Sequence, residues 1–557
     1  MSRHIAARLK IEGELVSDGP LHVGGIGGDS DVDLALAIDG KNRCYIPGTS
    51  LAGPLRDWVE RRLGKGDELF GPEMIRGKDD QGRASSILIE DAVFKRGGTI
   101  EIRDGVGLNR FTGAAADGIK YDRAVLPNGS LFDFNMTVEI EKAEEKDYIK
   151  SLTGSVLRAL VRGEICFGAA RTRGLGRLRL VESTISPKIY EQGLLSPADI
   201  LAVLHGSQVC QTLADLGHAV LKPRPSLSIE IEWKPKGALM VKAEREGMGV
   251  DMLPLTSLID DQLAFVLPGS SIKGALRAQA ERIARTVRGF NAPSKGNLRQ
   301  LFLDQIGMRH SDSNGTAEPG DGGAAAHLIG SLFGVAARRD HHQAKKSHTK
   351  PRPGLSAVSA LDCYANSRFS REQWGNVEQA QSDIEPGRSK SPLYEALEHS
   401  GLTHNSPTTE SHSQMAMHVA IDRWTGGAAD KFLYSVLEPH GMDWEPIRLS
   451  LDLTRLRNNE EQNDRDPGVA LLLLVLRDLS AGRIPLGFGV NRGMGAIEVS
   501  AITFTPEDVD DDDTLQCLRD LKIEGGLVTG FSEALNRAWI EWINSEDPHH
   551  TASGETE

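Results

Sequence analysis

The stretch from Gly24 to Arg56 reads GGIGGDSDVDLALAIDGKNRCYIPGTSLAGPLR. It places an acidic, glycine-rich segment shortly before a Pro-Gly turn at residues 47–48. Apolar residues then recur at the spacing of one helix face, at Leu51, Leu55, Val59 and Leu63. The stretch therefore predicts an acidic loop that leads through a tight turn into an amphipathic helix.

The same layout recurs in the second half of the chain. Residues 247–277 read GMGVDMLPLTSLIDDQLAFVLPGSSIKGALR. Asp251 stands where Asp33 stood, and a second Pro-Gly pair at 268–269 precedes a second apolar helix face. A duplicated unit of acid, turn and helix is the main clue to function in this sequence.

Other elements repeat in the same order around this unit. Each half opens with a strand of alternating polar and apolar residues, near 5–12 and 227–233. Each half closes on Arg-Gly-x-Gly followed by a strand, at 173–176 and 492–495. Strand, helix, strand, repeated twice within each half, is the ferredoxin-like pattern. The sequence thus predicts an α+β fold of two tandem ferredoxin-like (RRM-like) domains, a topology that many RNA-binding proteins use.

The distances between repeated elements grow along the chain, which indicates insertions in the second copy. We predict a first domain over residues 1–185, a linker with a helix over 186–225, and a second domain over 226–505. The second domain is expected to carry loop insertions at about 290–330 and 335–415, which are rich in polar residues. An acidic linker, a C-terminal helix and a polar tail are expected over 506–557.

Bulk composition limits the classes of protein to which the chain can belong. Its 557 residues contain no apolar run near the roughly 20 residues that a membrane span needs, and the N-terminus lacks the apolar core of a signal peptide. We therefore expect a cytoplasmic protein that does not bind membranes. The five cysteines are spaced singly, which argues against a disulfide framework or a zinc site. A net charge of -14 argues against nucleic-acid binding over the whole surface but permits a local basic groove.

With these motifs in hand, the chain resembles the RAMP superfamily. More narrowly, it resembles the repeating backbone subunit of type III CRISPR effector complexes, with two units in one chain as in fused subtype III-D variants. The resemblance rests on the stretches at 27–40, 45–56, 108–134 and 171–180 in the first half and at 249–255, 266–277, 420–439 and 487–499 in the second.

The resemblance implies both activity and partners. Each unit would hold a segment of guide CRISPR RNA and the target RNA paired with it, beside other type III effector subunits. A loop aspartate in each unit would cut the target strand, in a reaction that needs Mg²⁺ or another divalent cation and leaves a cyclic phosphate. By motif, the catalytic residues would be Asp33 and Asp251.

The proposed chemistry is plausible without the resemblance. RNA carries its own nucleophile, the 2′-hydroxyl, so a protein can promote cleavage by holding one nucleotide in an in-line geometry. A carboxylate with an ordinary pKa of about 4 is a poor base at neutral pH and gains from a bound cation or from desolvation. However, acids among glycines most often cap turns, and Asp29 and Asp31 are close enough to be confused with Asp33.

RNA-binding residues are expected at the helix starts, in the Arg-Gly loops and beside the Thr-Gly turns. Helix starts offer backbone N–H groups to phosphates, and glycines without side chains let a sugar-phosphate chain come close. The candidates are Ser50, Arg56, Arg110, Arg171, Arg173, Gly174, Gly176, Ser271, Lys273, Arg277, Arg423, Arg492, Gly493 and Gly495. Ala52 stands where the second copy has Lys273, which weakens the expected phosphate contact in the first copy.

Some residues keep two interpretations. Phe111 and Trp424 could stack on a base or fill a core; we expect a core position for Phe111 and leave Trp424 open. The basic loop at 338–352 could clamp RNA or simply be solvated, and its histidines lack the spaced partners of a metal site.

Three functions are compatible with the chain. The first is a backbone subunit with target-RNA nuclease sites, the second is a non-catalytic scaffold for guide RNA, and the third is a guide-processing endonuclease. The last is disfavoured because no histidine occupies a comparable place in both copies.

Overall fold

A computed structural model gives the structure of the chain. It describes residues 4–25, 32–72, 84–183, 186–206, 209–289, 291–292, 294, 302, 305, 323–334, 355–384, 386, 388–403, 412–456, 458–459, 462–509 and 513–545. Asp29, Asp31 and the basic loop at 338–352 lie outside the described residues.

The first half of the chain forms one mixed unit of strands and helices. Its strands are β1 (Ala7–Ser17), β2 (Tyr45–Ile46), β3 (Ile87–Ile89), β4 (Ala92–Arg96), β5 (Glu101–Leu108), β6 (Ala115–Val125), β7 (Leu131–Ile140), β8 (Leu178–Leu180), β9 (Lys188–Gly193) and β10 (Val209–Gln211). Its helices are α1 (Gly48–Leu63), α2 (Gly66–Phe70), α3 (Lys146–Val161) and α4 (Pro197–Leu204).

The second half repeats this layout with additions. Its strands are β11 (Ser226–Pro235), β12 (Thr256–Ile259), β13 (Gln262–Leu267), β14 (Val358–Ala360), β15 (Cys363–Tyr364), β16 (His412–Ile421), β17 (Ala428–His440), β18 (Ile447–Asp452), β19 (Asn458–Asn459), β20 (Gln462–Asn463) and β21 (Ile497–Glu507). Its helices are α5 (Gly269–Arg288), α6 (Gly323–Phe333), α7 (Arg371–Gln379), α8 (Pro392–His399) and α9 (Arg465–Ser480). The chain then continues through α10 (Asp513–Gln516), β22 (Lys522–Glu524), β23 (Leu527–Thr529) and α11 (Glu533–Asn544).

The two central sheets share the order of four core strands, and the first sheet carries further strands at its edges. In the first unit, β1 pairs with β7 and β8, and β7 pairs with β3. In the second unit the order is β14-β18-β11-β21. The opening strand β11 thus lies between β18 and β21, as β1 lies between β7 and β8 in the first unit. Two crossover helices per unit, α1 with α3 and α5 with α9, complete a ferredoxin-like βαββαβ arrangement. The prediction of an α+β fold with two tandem ferredoxin-like units is confirmed.

The Pro-Gly turns start their helices in nearly identical conformations. Pro47 has φ -54° and ψ 138°, and Pro268 has φ -59° and ψ 142°. A Cβ on Gly48 would lie 2.4 Å from the Ile89 carbonyl oxygen, and one on Gly269 would lie 2.3 Å from that of Ala360. Glycine is therefore required because each helix start packs directly against the backbone of the neighbouring strand.

The insertions of the second unit contain more helix than the sequence predicted. Helices α7 and α8 both lie within the segment expected to be a loop. Ser370 and Ser391 cap their N-termini, and Trp374, Val377, Leu393 and Leu397 bury one face of each helix in the core. Short capped helices with few apolar residues are easily missed in a polar segment.

Each unit extends a two-stranded hairpin, and the first hairpin packs against the second unit. In the β5–β6 hairpin, the buried guanidinium of Arg103 pairs with Asp362 and donates to Ser257 Oγ at 2.9 Å. Glu101 of the same strand accepts from the Leu258 N–H at 2.7 Å. The two units are therefore joined by a buried ionic network in addition to the linker.

The second hairpin, β16–β17, extends away from the core. Its strands pair antiparallel from His412 and His440 up to Ile421 and Ala428. Apolar side chains near its tip are exposed, among them Trp424 at 95% and Leu433 at 61%. Among the described residues, no helix is both long enough and apolar enough to cross a membrane.

Candidate nucleic-acid interface and cleavage site

The candidate aspartate of the first unit is bonded to the root of its hairpin. Asp33 is exposed, and its Oδ2 accepts from the backbone N–H of Asp122 on β6 at 3.1 Å. In return, the backbone N–H of Asp33 donates to Asp122 Oδ1 at 2.5 Å. The neighbouring residue, Leu34, forms a parallel bridge with Arg123. The acidic loop is thus fixed to the hairpin by both side chains and backbone.

The second unit repeats this arrangement at corresponding positions. Asp251 is exposed, its Oδ2 accepts from the backbone N–H of Ser435 at 2.7 Å, and its own N–H donates to Ser435 Oγ at 3.0 Å. Met252 forms the parallel bridge, here with Val436. Asp33 and Asp251 are therefore structurally equivalent, although Asp251 lies three residues farther from its Pro-Gly turn. The β12–β13 hairpin accounts for this longer connection.

The carboxylates of Asp33 and Asp251 can act on a ligand because they are exposed and only one oxygen of each accepts hydrogen bonds from the described residues. In each of them Oδ2 is engaged, while Oδ1 takes no hydrogen bond from any residue that the structure describes. Among the described residues, no three His, Cys, Asp or Glu side chains are grouped to hold a metal ion. A cation at either aspartate would take its remaining ligands from water and from RNA phosphates.

Each Arg-Gly loop brings an arginine to the hairpin residue that precedes the partner of the candidate aspartate. Arg173 donates to the hydroxyl of Tyr121 at 3.4 Å, and Arg492 donates to the hydroxyl of Tyr434. Tyr121 directly precedes Asp122, and Tyr434 directly precedes Ser435. In each unit, an exposed loop arginine and a candidate carboxylate therefore contact consecutive residues of the hairpin. An exposed arginine and an exposed carboxylate on one hairpin can together engage the phosphates and the reacting groups of a bound strand.

Sequence reasoning missed the two tyrosines and the residues that follow them. Tyr121 and Tyr434 are separated by 313 positions, the same separation as Arg110 and Arg423 in the repeated turn motif. That constant separation is the signal that could have identified them. The flanking residues differ, KYDR in one unit and LYSV in the other, so the motif is not visible by inspection.

The glycines of the two Arg-Gly loops have a packing role that the sequence did not indicate. All four, Gly174, Gly176, Gly493 and Gly495, have φ between 80° and 89°. A Cβ on Gly176 would lie 2.0 Å from the Phe167 carbonyl oxygen, and one on Gly495 would lie 2.2 Å from that of Leu486. A Cβ on Gly174 would meet Asp362 Oδ1 at 2.3 Å, whereas one on Gly493 would meet nothing within 4 Å. Three of the four glycines are thus needed for the fold itself, and their role in RNA approach remains a prediction.

At the start of helices α1 and α5, the first backbone N–H already donates to a carboxylate of the protein. The Gly48 N–H donates to Asp91 Oδ1 at 2.7 Å, and the Gly269 N–H donates to Asp362 Oδ1 at 2.8 Å. A carboxylate of the protein thus takes the first N–H that a phosphate would use. Ser50 and Ser271, in the first turn of each helix, are half-buried.

Lys273 is buried beneath the Arg-Gly loop of the first unit. Its Nζ donates to Thr172 Oγ1 at 2.9 Å and to the Thr172 carbonyl oxygen at 3.3 Å. Burial, followed by the charges of Arg173, Arg277 and Arg455, lowers the pKa of Lys273 to about 6. In this conformation the Lys273 side chain is covered, and a phosphate could reach it only if the loop moved.

The other arginine candidates divide into partnered and exposed groups. Arg110 and Arg277 converge on Glu281, with N–O distances of 2.8 and 2.7 Å. Arg56 pairs with Asp67, and Arg171 donates to the Cys166 carbonyl oxygen. Arg423, which corresponds to Arg110, is exposed at the tip of the second hairpin.

The two aromatic residues of the turn motifs are both exposed. Phe111 is 58% exposed and Trp424 is 95% exposed. The expected core position of Phe111 is therefore wrong, because the hairpin tip that carries it projects beyond the sheet. Exposed rings leave base stacking possible at both tips.

Comparison with known proteins places these features in a family. A search of curated proteins finds no match. A sequence model of the RAMP superfamily matches residues 14–179 and 257–498, so it covers both repeated units and most of the chain. Asp33 lies within the first matched region, whereas Asp251 precedes the second by six residues. Both matched regions include the Arg-Gly loop and the hairpin of their unit. The chain therefore belongs to the RAMP superfamily.

Proposed function

We propose that this protein is a two-unit backbone subunit of a type III CRISPR effector complex. In this role it binds guide CRISPR RNA and cleaves complementary target RNA at two sites, with Asp33 and Asp251 as the catalytic residues. The supporting observation is the repetition of one arrangement: in each unit a loop arginine and an exposed aspartate bond to consecutive residues of a hairpin. Guide RNA, target RNA and other effector subunits are the expected partners.

The chain's own residues would hold the RNA and orient the reacting groups. Arg173 and Arg492 would contact phosphates beside the aspartates, and the hairpin would separate neighbouring nucleotides of the target strand. The 2′-oxygen of one nucleotide would attack the adjacent phosphorus, and the P–O5′ bond would break to leave a cyclic phosphate, while the departing O5′ oxygen takes a proton from water. The carboxylate would orient the 2′-hydroxyl and accept its proton.

A divalent cation is part of this proposal. When bound, it would neutralise charge on the phosphate and lower the pKa of the attacking group. Asp33 and Asp251 each offer one oxygen that no described residue uses, which fits a loosely held Mg²⁺ completed by water and RNA oxygens.

Reconstitution of the complex with guide RNA and a labelled target tests the proposal. Asp33→Asn and Asp251→Asn are each expected to remove one cut while target binding persists. Asp147→Asn, which changes an exposed aspartate in the first turn of α3, serves as a matched control and should leave both cuts unchanged. If both cuts remain in the Asp33→Asn, Asp251→Asn double variant, the protein is a guide-RNA scaffold and the nuclease proposal is wrong.

A further inference from the structure

An open cleft lies where the linker meets both units. Its volume is about 470 Å³, and its charged lining consists of four arginines from three segments of the chain. These are Arg61 and Arg62 in the last turn of α1, Arg224 in the linker, and Arg455 in the turn that follows β18. The other lining residues are neutral, so every charged side chain that lines the cleft in the described part of the chain is a cation.

Hydrogen bonds of the linker hold the cleft together. The Lys222 N–H donates to the Arg62 carbonyl oxygen, and Arg62 Nη1 donates to the Lys222 carbonyl oxygen, both at 2.6 Å. Two residues on, the Arg224 N–H donates to Asp508 Oδ2 at 2.9 Å. Because Asp508 follows β21, these bonds join the linker to α1 on one side and to the second unit on the other. The arginines are thus arranged around the cleft by the protein itself.

The four guanidinium groups share three carboxylates. The ion pairs are Arg61 with Asp57, Arg62 with Asp508, and both Arg224 and Arg455 with Asp452. The buried Nε–H of Arg455 makes no hydrogen bond, although Asp452 Oδ2 lies 3.0 Å away. A guanidinium has five N–H donors, so these pairs leave donors that can bind a ligand. The group as a whole carries one more cation than anions.

The charges of the cleft also act on one another. Burial lowers the pKa of Arg455, the Asp452 carboxylate opposes this change, and the charges of Arg61, Arg224 and Arg171 add to it. Arginines that repel one another across an open cleft favour a bound anion. The planar fork of a guanidinium matches phosphate oxygens in two-pronged hydrogen bonds, which makes a phosphate group the best-fitting anion.

The cleft lies close to the Arg-Gly loop of the first unit. Burial raises the pKa of the Cys166 thiol, and the charges of Arg177, Arg171, Arg224 and Arg455 act in the opposite direction. Arg171 also donates to the Cys166 carbonyl oxygen at 3.3 Å. Arginines of the loop and arginines of the cleft therefore lie around one residue. A strand bound at the Arg-Gly loop has a second set of cations within reach.

We propose that this cleft binds a phosphate group, supplied by the backbone of guide RNA that continues from the Arg-Gly loop of the first unit. This inference rests on the proposed function. The site depends on the joining of two units in one chain, because Arg224 belongs to the linker and the other arginines come from both units. It reads no base, since a phosphate contact fixes the position of a strand but carries no sequence information.

The test measures binding of labelled guide RNA to the full chain at several salt concentrations. Each neutralised phosphate of a single strand releases counterions, and log K falls with log[salt] by about 0.7 per phosphate. The Arg61→Gln, Arg224→Gln double variant is expected to lower this slope by about 0.7 and to weaken binding about tenfold near physiological salt. Arg162→Gln, at an exposed arginine that pairs with Glu164 outside the cleft, is the matched control and should change neither value.

The double variant is chosen so that it still folds. The Arg61 pair with Asp57 is exposed, and Asp452 keeps Arg455 when Arg224 is replaced, so no buried carboxylate loses its last cation. Urea unfolding checks this expectation. Arg61→Gln alone, which leaves every buried pair intact, is measured beside it and should also weaken RNA binding more than Arg162→Gln does.

Inorganic phosphate distinguishes an RNA phosphate from a free one. Thermal unfolding of the chain without RNA is compared in phosphate and in chloride at equal ionic strength. Stabilisation by phosphate that the double variant loses, with an unchanged salt slope for RNA, would show that the ligand is a free phosphate and that the RNA source is wrong. An unchanged slope without such stabilisation, or an equal loss of RNA binding in Arg162→Gln, would overturn the site.

The same measurement separates this inference from the proposed function. If the unaltered chain does not bind guide RNA, the proposed function fails. If it binds guide RNA and the double variant binds with the same affinity and salt slope, only this inference fails. Neither result depends on cleavage, so the outcome for Asp33→Asn and Asp251→Asn is decided independently.

Discussion

Ser435 donates both its backbone N–H and its hydroxyl to the same carboxylate oxygen of Asp251, at 2.7 and 2.9 Å. In the first unit Asp122 occupies the corresponding position and provides only the backbone N–H to Asp33, while its own carboxylate accepts from the Asp33 backbone. The two candidate sites are therefore held in place by a hydroxyl in one unit and a carboxylate in the other. The difference leads to a prediction at the second site.

Ser435→Ala is expected to slow the second cut by about tenfold, because a lost hydrogen bond to a charged group costs about 1.5–3 kcal/mol and leaves the Asp251 carboxylate less fixed. Ser435→Thr, which keeps the hydroxyl, should restore the rate. Single-turnover rates of the two cuts in one complex measure the effect. Equal rates in Ser435→Ala and the unaltered protein would show that the hydroxyl does not position Asp251.

The sequence predicts the positions of Asp33, Asp251 and the helix starts, because these features recur at corresponding places in a repeat. It does not predict the hydrogen-bond partners of the aspartates, since Asp122 and Ser435 share neither charge nor shape and correspond only through backbone register. The duplicated pattern thus predicts the fold and the position of the candidate site, whereas the contacts within the site depend on strand pairing.

The roles of several basic residues depend on how the first unit packs on the second. Arg110 looked like an RNA ligand, yet its guanidinium meets Glu281 of the other unit. Lys273 looked like a phosphate ligand, yet Thr172 covers it. Nothing in a local motif shows that a residue faces another domain, so these contacts could not be derived from the sequence.

Arg103→Met is expected to destabilise the junction between the units by about 3–5 kcal/mol. Arg103 and Asp362 are both buried, and removal of the guanidinium leaves the Asp362 and Glu101 carboxylates without their cation. The measurement is urea unfolding of the full chain. Arg43→Met, which removes a more exposed ion pair with Asp39, is the control and should cost less than about 1 kcal/mol. Similar losses in both variants would contradict the junction role.

Gly495→Ala is expected to destabilise the protein more than Gly493→Ala, although the two glycines share one loop. Both have a left-handed φ, which costs an alanine about 1–2 kcal/mol. Only Gly495 adds a steric overlap, with its Cβ 2.2 Å from the Leu486 carbonyl oxygen, whereas a Cβ on Gly493 meets open space. Thermal unfolding of the two variants measures the difference. Equal losses would mean that the loop relaxes to accommodate the methyl group.

Lys273→Met is expected to stabilise the protein and to flatten the pH dependence of its unfolding free energy. The pKa of Lys273 is about 6 in the folded protein, mainly because of burial, and 10.5 is the ordinary value. Between these values the unfolded chain binds a proton that the folded chain does not, so the stability contributed at this position rises with pH across that window. The gain from methionine should accordingly be largest near pH 6 and shrink toward pH 10. Urea unfolding at several pH values measures it, with Lys188→Met at an exposed lysine as control. A pH slope equal to that of the unaltered protein would show that Lys273 keeps its proton beneath the loop, where it would be ready to pair with an RNA phosphate once the loop moved.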